Sequence, residues 1–170
     1  DKERLREGFD NLSGASRQKR FFGGKNSLSD IELQYFTEVD QFNHVAIVAV
    51  ELNDCGEEAD GNGVARFIRI PDDAECAEVA ITVIDRMQGK GVGRNLLERL
   101  VEAAVERDIK RFRFECLPHN QEIKKLVEKT CNVVQFVSET DVIVAEVELP
   151  GRHQKLPELS VDAFERLLLL

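Results

Sequence analysis

CAEVAITVIDRMQGKGVGRNLLERLVEAAV, residues Cys76 to Val105, changes its hydrophobic period halfway along. Val79 to Ile84 is an apolar, β-branched run that reads as a strand. A short turn and QGKGVG (Gln88 to Gly93) follow. Apolar residues then recur at Val92, Leu96, Leu97, Leu100, Val101, Ala104 and Val105, the i, i+3, i+4 spacing of a helix that packs one face. The order is strand, glycine-rich turn, helix. Gly89, Gly91 and Gly93 let backbone N–H groups approach a ligand without interference from a Cβ. They lie where a helix begins, with unpaired donors and a partial positive charge. An anionic group, a pyrophosphate above all, suits that end.

Two well-known phosphate loops are excluded. A P-loop needs GxxxxGK[ST], but Arg94 and Asn95 follow Gly93; a GxGxxG fingerprint begun at Gly89 needs a glycine where Arg94 stands. What is present is Gln88-x-x-Gly91-x-Gly93. This resembles the Q/R-x-x-G-x-G/A signature of the GCN5-related N-acetyltransferases, the GNAT superfamily. A glycine-rich surface turn without a ligand is the plainer alternative, and the strand–turn–helix setting argues against it.

At 170 residues the chain is one domain's worth, with 42% hydrophobic and 32% charged residues, as in ordinary globular proteins. A net charge of −9 argues against nucleic acid, whose binding is driven by clustered Lys and Arg. An acidic surface could attract a basic protein, but many cytosolic proteins share it. Cys55, Cys76, Cys116 and Cys131 are widely spaced without a CxxC pair, and His44, His119 and His153 are isolated, so no metal site is expected. Free thiols fit a reducing, cytoplasmic location. No stretch approaches the ~20 apolar residues of a membrane span. The chain starts at Asp1 rather than Met, which reads as a trimmed start or a domain cut from a longer chain.

In chain order, Lys2 to Leu12 has helical spacing with Gly14 as a stop, and Ser16 to Gly24 is a basic segment ending in two phenylalanines and two glycines. Ser29 and Glu32 form a capping box opening a helix to about Glu38. Strands are expected at His44 to Leu52, Gly63 to Ile70 and Cys76 to Ile84, the first two joined by a polar loop from Asn53 to Gly63. These three form an antiparallel meander. The helix after the glycine turn leads to a strand at Arg111 to Leu117 that can lie parallel to the third. A helix at Asn120 to Thr130 and a hairpin of Val133 to Glu139 and Val142 to Leu149 complete a domain over residues 1–150. Residues 151–170 read as a linker and a short helix, capped by Ser160 and ending in four leucines.

This order resembles the GNAT fold: α/β (α+β), with a mixed, mostly antiparallel sheet flanked by helices. The family's sheet is splayed between the strands it counts as fourth and fifth. Here these are the third meander strand and the strand after the glycine-turn helix. The resemblance implies that the pantetheine arm of coenzyme A enters the resulting cleft.

Acetyl transfer from a thioester to an amine needs a base, because lysine's reference pKa is ~10.4. It also needs stabilisation of the carbonyl oxygen, while a thiol of pKa ~8.5 leaves with little help. Glu78 is a carboxylate within the apolar strand AEVAI, where desolvation is expected to raise its pKa toward that of a useful base. Alternation places it with Ala80 and Thr82 on one face, so a solvent-facing strand residue is the alternative. His44 could reach the acceptor side or serve structure alone. Asn120 fits an N-cap.

Beyond the motif, RFFGGKNSLSDIELQYFTEVDQFNHVAIVAV, GVARFIRIPDD and AEVAITVIDRMQGKGVG resemble the Pat-type bacterial protein lysine acetyltransferases over about Lys2 to Leu149. The resemblance implies an acetyl-CoA-dependent N-acetyltransferase with Glu78 as general base and no metal. It assigns the cofactor to Gln88, Gly89, Lys90, Gly91, Val92, Gly93 and Arg94, to the backbone of Ile81, Thr82 and Val83, and to Asn120. The implied partner is a protein with an exposed lysine, such as acetyl-CoA synthetase. A fused or regulatory further domain and a homodimer stay open. The chain departs from the family at Gln41, where histidine is common, and in the last helix, where LVEKTCNVVQF lacks the tyrosine that protonates the leaving thiolate. The only tyrosine is Tyr35, far upstream. Cys131 lies near the missing tyrosine, but without an adjacent His–acid pair it does not read as a nucleophile, so direct transfer is expected. A small-molecule amine acetyltransferase and a non-catalytic acyl-CoA sensor are the alternatives.

Overall fold

The computed structural model describes residues 2–139 and 141–151. The expected linker and short helix at 151–170 therefore lie outside the described residues, apart from Gly151. Three helices come first: α1 (Lys2–Asp10), α2 (Gly14–Phe21) and α3 (Asp30–Thr37). Helix α2 corrects the sequence reading, which ended the first helix at Gly14 and left the next segment without structure. Ser13 restarts the helix as its N-cap, accepting from the Ser16 N–H. Helix α3 has the expected capping box, with Ser29 and Glu32 satisfying each other's backbone N–H groups.

The strands are β1 (His44–Leu52), β2 (Glu58–Ile70) and β3 (Asp73–Val83), followed after a 3-10 turn at Asp85–Met87 by α4 (Val92–Glu106). Then come β4 (Arg111–Cys116), α5 (Gln121–Thr130), β5 (Asn132–Glu139) and β6 (Val142–Glu148). Much of the polar stretch expected as loop is strand: Glu58 pairs with Leu52, and register shifts after Ala49 and Val50 absorb the irregularity. The six strands form one sheet in the order β1-β2-β3-β4-β6-β5, with β3 and β4 parallel and every other neighbouring pair antiparallel.

Strand alternation sorts the sheet into two faces. Val45, Ala65, Phe67, Ala77, Val79, Phe112, Phe114, Ala145 and Val147 are buried in one cluster with Leu96, Leu97, Leu100, Val101 and Ala104 of α4. Each fully buried Leu or Phe stabilises the fold by roughly 1.5–3 kcal/mol. The N-terminal helices have a small core of their own, Phe9, Leu28 and Leu33.

What positions the site is the short contact between β3 and β4. They pair only from Cys76↔Arg111 to Val79↔Phe114. Beyond that, β3 continues through Ala80 to Val83 while β4 continues along β6. The sheet therefore splits between these strands, as expected. They are the third and fourth strands here because helices alone precede β1 among the described residues.

Candidate active site

The split opens a cleft of about 610 Å³. One wall is β3 from Glu78 to Val83, the other β4 from Arg113 to Cys116. The glycine turn closes one end, α5 flanks it, and α2, Phe36 of α3 and Arg66 and Ile68 of β2 complete the lining.

Backbone direction on β3 follows from its neighbours. The N–H of Ile84 donates to the carbonyl of Asn62 at 3.0 Å, in continuous register with the β2–β3 pairs. Because the backbone groups of alternate strand residues point to opposite edges, Thr82 and Ala80 bond toward β2. Ile81 and Val83 turn their N–H and C=O groups into the gap, where β4 has departed. The Val83 carbonyl already accepts from Gln88 Nε2 at 3.0 Å.

Gly89 and Gly91 have φ of 74° and 89°, a left-handed backbone that disfavours side-chain-bearing residues. Gly91 is the N-cap of α4 and supplies no side-chain cap, which leaves the helix's first donors for a ligand. A Cβ added at either glycine would meet open space, so the conformation and not crowding demands glycine. Cationic side chains on the cleft are Lys19 and Arg20 from α2, Lys125 and Lys129 from α5, Arg66 and Arg113 from the sheet, and Arg94 at the start of α4. Against these seven stand three carboxylates, Glu78, Glu115 and Glu122, in a chain of net charge −9. A glycine cradle, exposed strand backbone and locally reversed charge fit a phosphate-bearing ligand with an amide-rich arm, the chemistry of coenzyme A.

Of the residues expected at the site, Glu78, Ile81, Thr82, Val83, Gln88, Gly89, Gly91, Gly93, Arg94 and Asn120 line this one cleft. Lys90 and Val92 do not. Lys90 is exposed, and the Val92 side chain is buried in the core beneath the turn. Asn120 caps α5, accepting from the Ile123 N–H at 3.4 Å. Glu78 is exposed, so the desolvation expected around it is absent in the free protein. Strand alternation is the cause: Ala77 and Val79 face the core, and Glu78 faces the opposite side of the sheet.

Tyr35 is half exposed and stacks on His44 at 5.1 Å, away from the cleft lining. Gln41 adopts a left-handed backbone (φ 56°) and its carbonyl accepts from Arg107. The Cys131 thiol is pushed up to about 11, chiefly by burial, which favours its protonated form. Among the described residues, no group of three or more His, Cys, Asp or Glu could hold a metal ion, and no helix is long and apolar enough to cross a membrane.

Sequence reasoning missed α2 and its side of the cleft. Asp85 accepts from Ser13 N and Oγ at 3.0 and 2.7 Å and from Ser16 Oγ at 3.0 Å, tying α2 to the turn after β3. Lys19 pairs with Glu122 of α5 at 3.0 Å, so the same helix reaches the opposite flank. Arg66 was missed too. Its signal was a lone arginine on the Val64, Arg66, Ile68 face of GVARFIRI.

Comparison with known proteins defines the class. The model of the acetyltransferase (GNAT) family matches residues 21–132, and the chain belongs to that family. More particularly, it resembles Acetyltransferase Pat of Mycolicibacterium smegmatis, with 30% identity over 150 residues, 88% of this chain and 43% of that protein. The GNAT domain of S. lividans PAT superposes with a TM-score of 0.77 at 31% identity, covering 88% of this chain and 85% of that one. The protein yncA of Salmonella typhimurium, solved with its cofactor acetyl-CoA, shares the fold at 16% identity (TM-score 0.68, covering 94% and 95%). The chain spans about half the length of the curated relatives it matches.

Proposed function

We propose that this chain binds acetyl-CoA in the split between β3 and β4 and transfers the acetyl group to the ε-amine of a protein lysine. The observation that carries the reading is a single strand, β3, which bears Glu78, then turns the backbone of Ile81 and Val83 into the gap left by β4, and leads to the glycine turn. Donors of the α4 start, with Lys and Arg around them, hold the phosphates, while Ile81 and Val83 bond the pantetheine amides. Acetyl-CoA is the cosubstrate and supplies a thioester whose carbonyl carbon is open to an amine.

Glu78 takes the proton from the lysine ammonium, directly or through water, so that the nitrogen lone pair attacks that carbon. The C–N bond forms, the C–S bond breaks, the coenzyme A thiolate leaves, and the second proton on the nitrogen passes to solvent. No tyrosine lines the cleft to protonate it, and its low basicity lets it depart unaided. Entry of the cosubstrate expels water from around Glu78 and supplies the desolvation that the open cleft lacks. The resemblance to Pat-type proteins favours acetyl-CoA synthetase as the acceptor, in a cytoplasmic setting, with control by a further domain.

The test is thiol release from acetyl-CoA with a purified acetyl-CoA synthetase as acceptor and a panel of small amines beside it, with mass spectrometry to place the acetyl group. Release tied to one synthetase lysine supports the reading. Release with small amines only overturns the acceptor, and binding without release identifies a sensor.

A further inference from the structure

Arg66 is 5% exposed, yet it forms no ion pair among the described residues. Its Nη1 donates to the Phe36 carbonyl at 3.3 Å and lies 3.2 Å from His44 Nε2, while the guanidinium carbon sits 4.5 Å from the centre of the Phe36 ring. Arg20, from α2, approaches the same ring at 6.0 Å and also forms no ion pair among the described residues. Both line the cleft. Enclosed guanidinium groups are ordinarily matched by carboxylates, and carboxylates are not scarce in a chain with 32 Asp and Glu against 23 Lys and Arg. Two cations share the Phe36 ring here instead, and Arg66 is drawn down to about 10 by burial first and by Arg20 second.

The place of Arg66 on the sheet separates it from the phosphate end, and Arg20 reaches it from the last turn of α2. Arg66 pairs with Ala80, and Ile68, two residues along β2, pairs with Glu78. Arg66 and Glu78 are thus diagonal neighbours on one face, separated by roughly 7–8 Å, within reach of long side chains. The glycine turn lies beyond Val83, at the far end of the strand.

We propose that Arg20 and Arg66 form an anion subsite for the acceptor: the substrate carries a carboxylate close to the amine that Glu78 deprotonates. A guanidinium fork matches a carboxylate in two parallel bonds, and a singly charged carboxylate is repelled less by Glu78 than a phosphate dianion. The carboxylate comes either from the acceptor's own terminus or from an acidic side chain beside the target lysine. This rests on the reading of the cleft as an acetyltransferase site and adds the acceptor's charge.

Calorimetry on the full chain saturated with coenzyme A, which carries no transferable acetyl group, tests binding without turnover. One arm compares Nα-acetyl-lysine with Nα-acetyl-lysinamide; the other compares lysine hexapeptides with Glu or Gln beside the lysine. The acid is expected to bind about tenfold or more tightly in at least one arm, which identifies the source of the carboxylate. Arg66→Gln and, on the more accessible helix, Arg20→Gln are each expected to shrink that preference, with Arg66→Lys restoring part of it. Equal binding of acid and amide in both arms, or a preference untouched by both Gln variants, overturns the proposal. Transfer assayed separately keeps the two claims apart: turnover without acid preference removes the subsite alone, and acid preference without turnover removes the enzyme reading alone.

Discussion

Gln88 Nε2 donates to the carbonyl of Val83 at 3.0 Å and to Ser16 Oγ at 3.2 Å. The first residue of the glycine signature thus folds back on the last residue of β3 and touches α2, and it acts on the turn's shape. Replacing Gln88 with Ala removes both bonds and loosens the turn. Acetyl-CoA affinity is expected to fall by about 3–10-fold, with a small drop in melting temperature. Calorimetry giving unchanged affinity would show that the turn holds its shape without this side chain.

Gly91→Glu is expected to abolish acetyl-CoA binding. The substitution forces a side chain into a left-handed backbone at φ 89° and brings a negative charge to the start of α4, where the phosphates are to bind. Left-handed strain costs about 1–2 kcal/mol, so the variant should melt lower yet remain folded. Wild-type affinity in calorimetry would place the phosphates elsewhere.

Asp85→Ala releases α2 from the turn after β3. Three hydrogen bonds from Ser13 and Ser16 disappear together, and a loss of about 1–3 kcal/mol in denaturant unfolding is expected. An unchanged midpoint would mean that the Lys19–Glu122 pair and the Phe9–Phe21 ring contact hold the helix alone.

Acid should loosen the turn before β1. The N–H groups of His44 and Phe42 hold the Asp40 carboxyl down to about 2. A folded pKa below the unfolded value of ~3.9 stabilises above that value, and the contribution is lost as pH falls through the folded pKa. Melting temperature is expected to drop between pH ~4 and about 2, and less steeply in Asp40→Asn, which lacks the titrating group. Parallel pH profiles for the two proteins would contradict this role.

The strand, turn and helix of Cys76 to Val105 were legible because a change of hydrophobic period is local. So was the Ser29–Glu32 capping box, a matter of four consecutive residues. Helix α2 was hidden because Gly14 reads as a stop, while the feature that overrides it, Ser13 capping the next turn and bonding Asp85, depends on a residue far along the chain. The exposure of Glu78 was hidden for a similar reason. An apolar strand suggests burial, but which of its faces is covered depends on how distant segments pack against the sheet, and the core takes the Ala77 and Val79 side. The meeting of Arg20, Phe36 and Arg66 likewise needs three elements placed at once.

If β3 presents both the base and the cosubstrate site, Glu78→Gln separates the two roles. Acetyl-CoA affinity by calorimetry and thiol release with an acceptor are measured on the same preparation. Affinity within twofold of wild type, with turnover reduced by about 10²–10⁴-fold, is the predicted pair of results for loss of a general base. Unchanged turnover would remove Glu78 as the base, and lost affinity would move it from the chemistry to the binding of the cosubstrate.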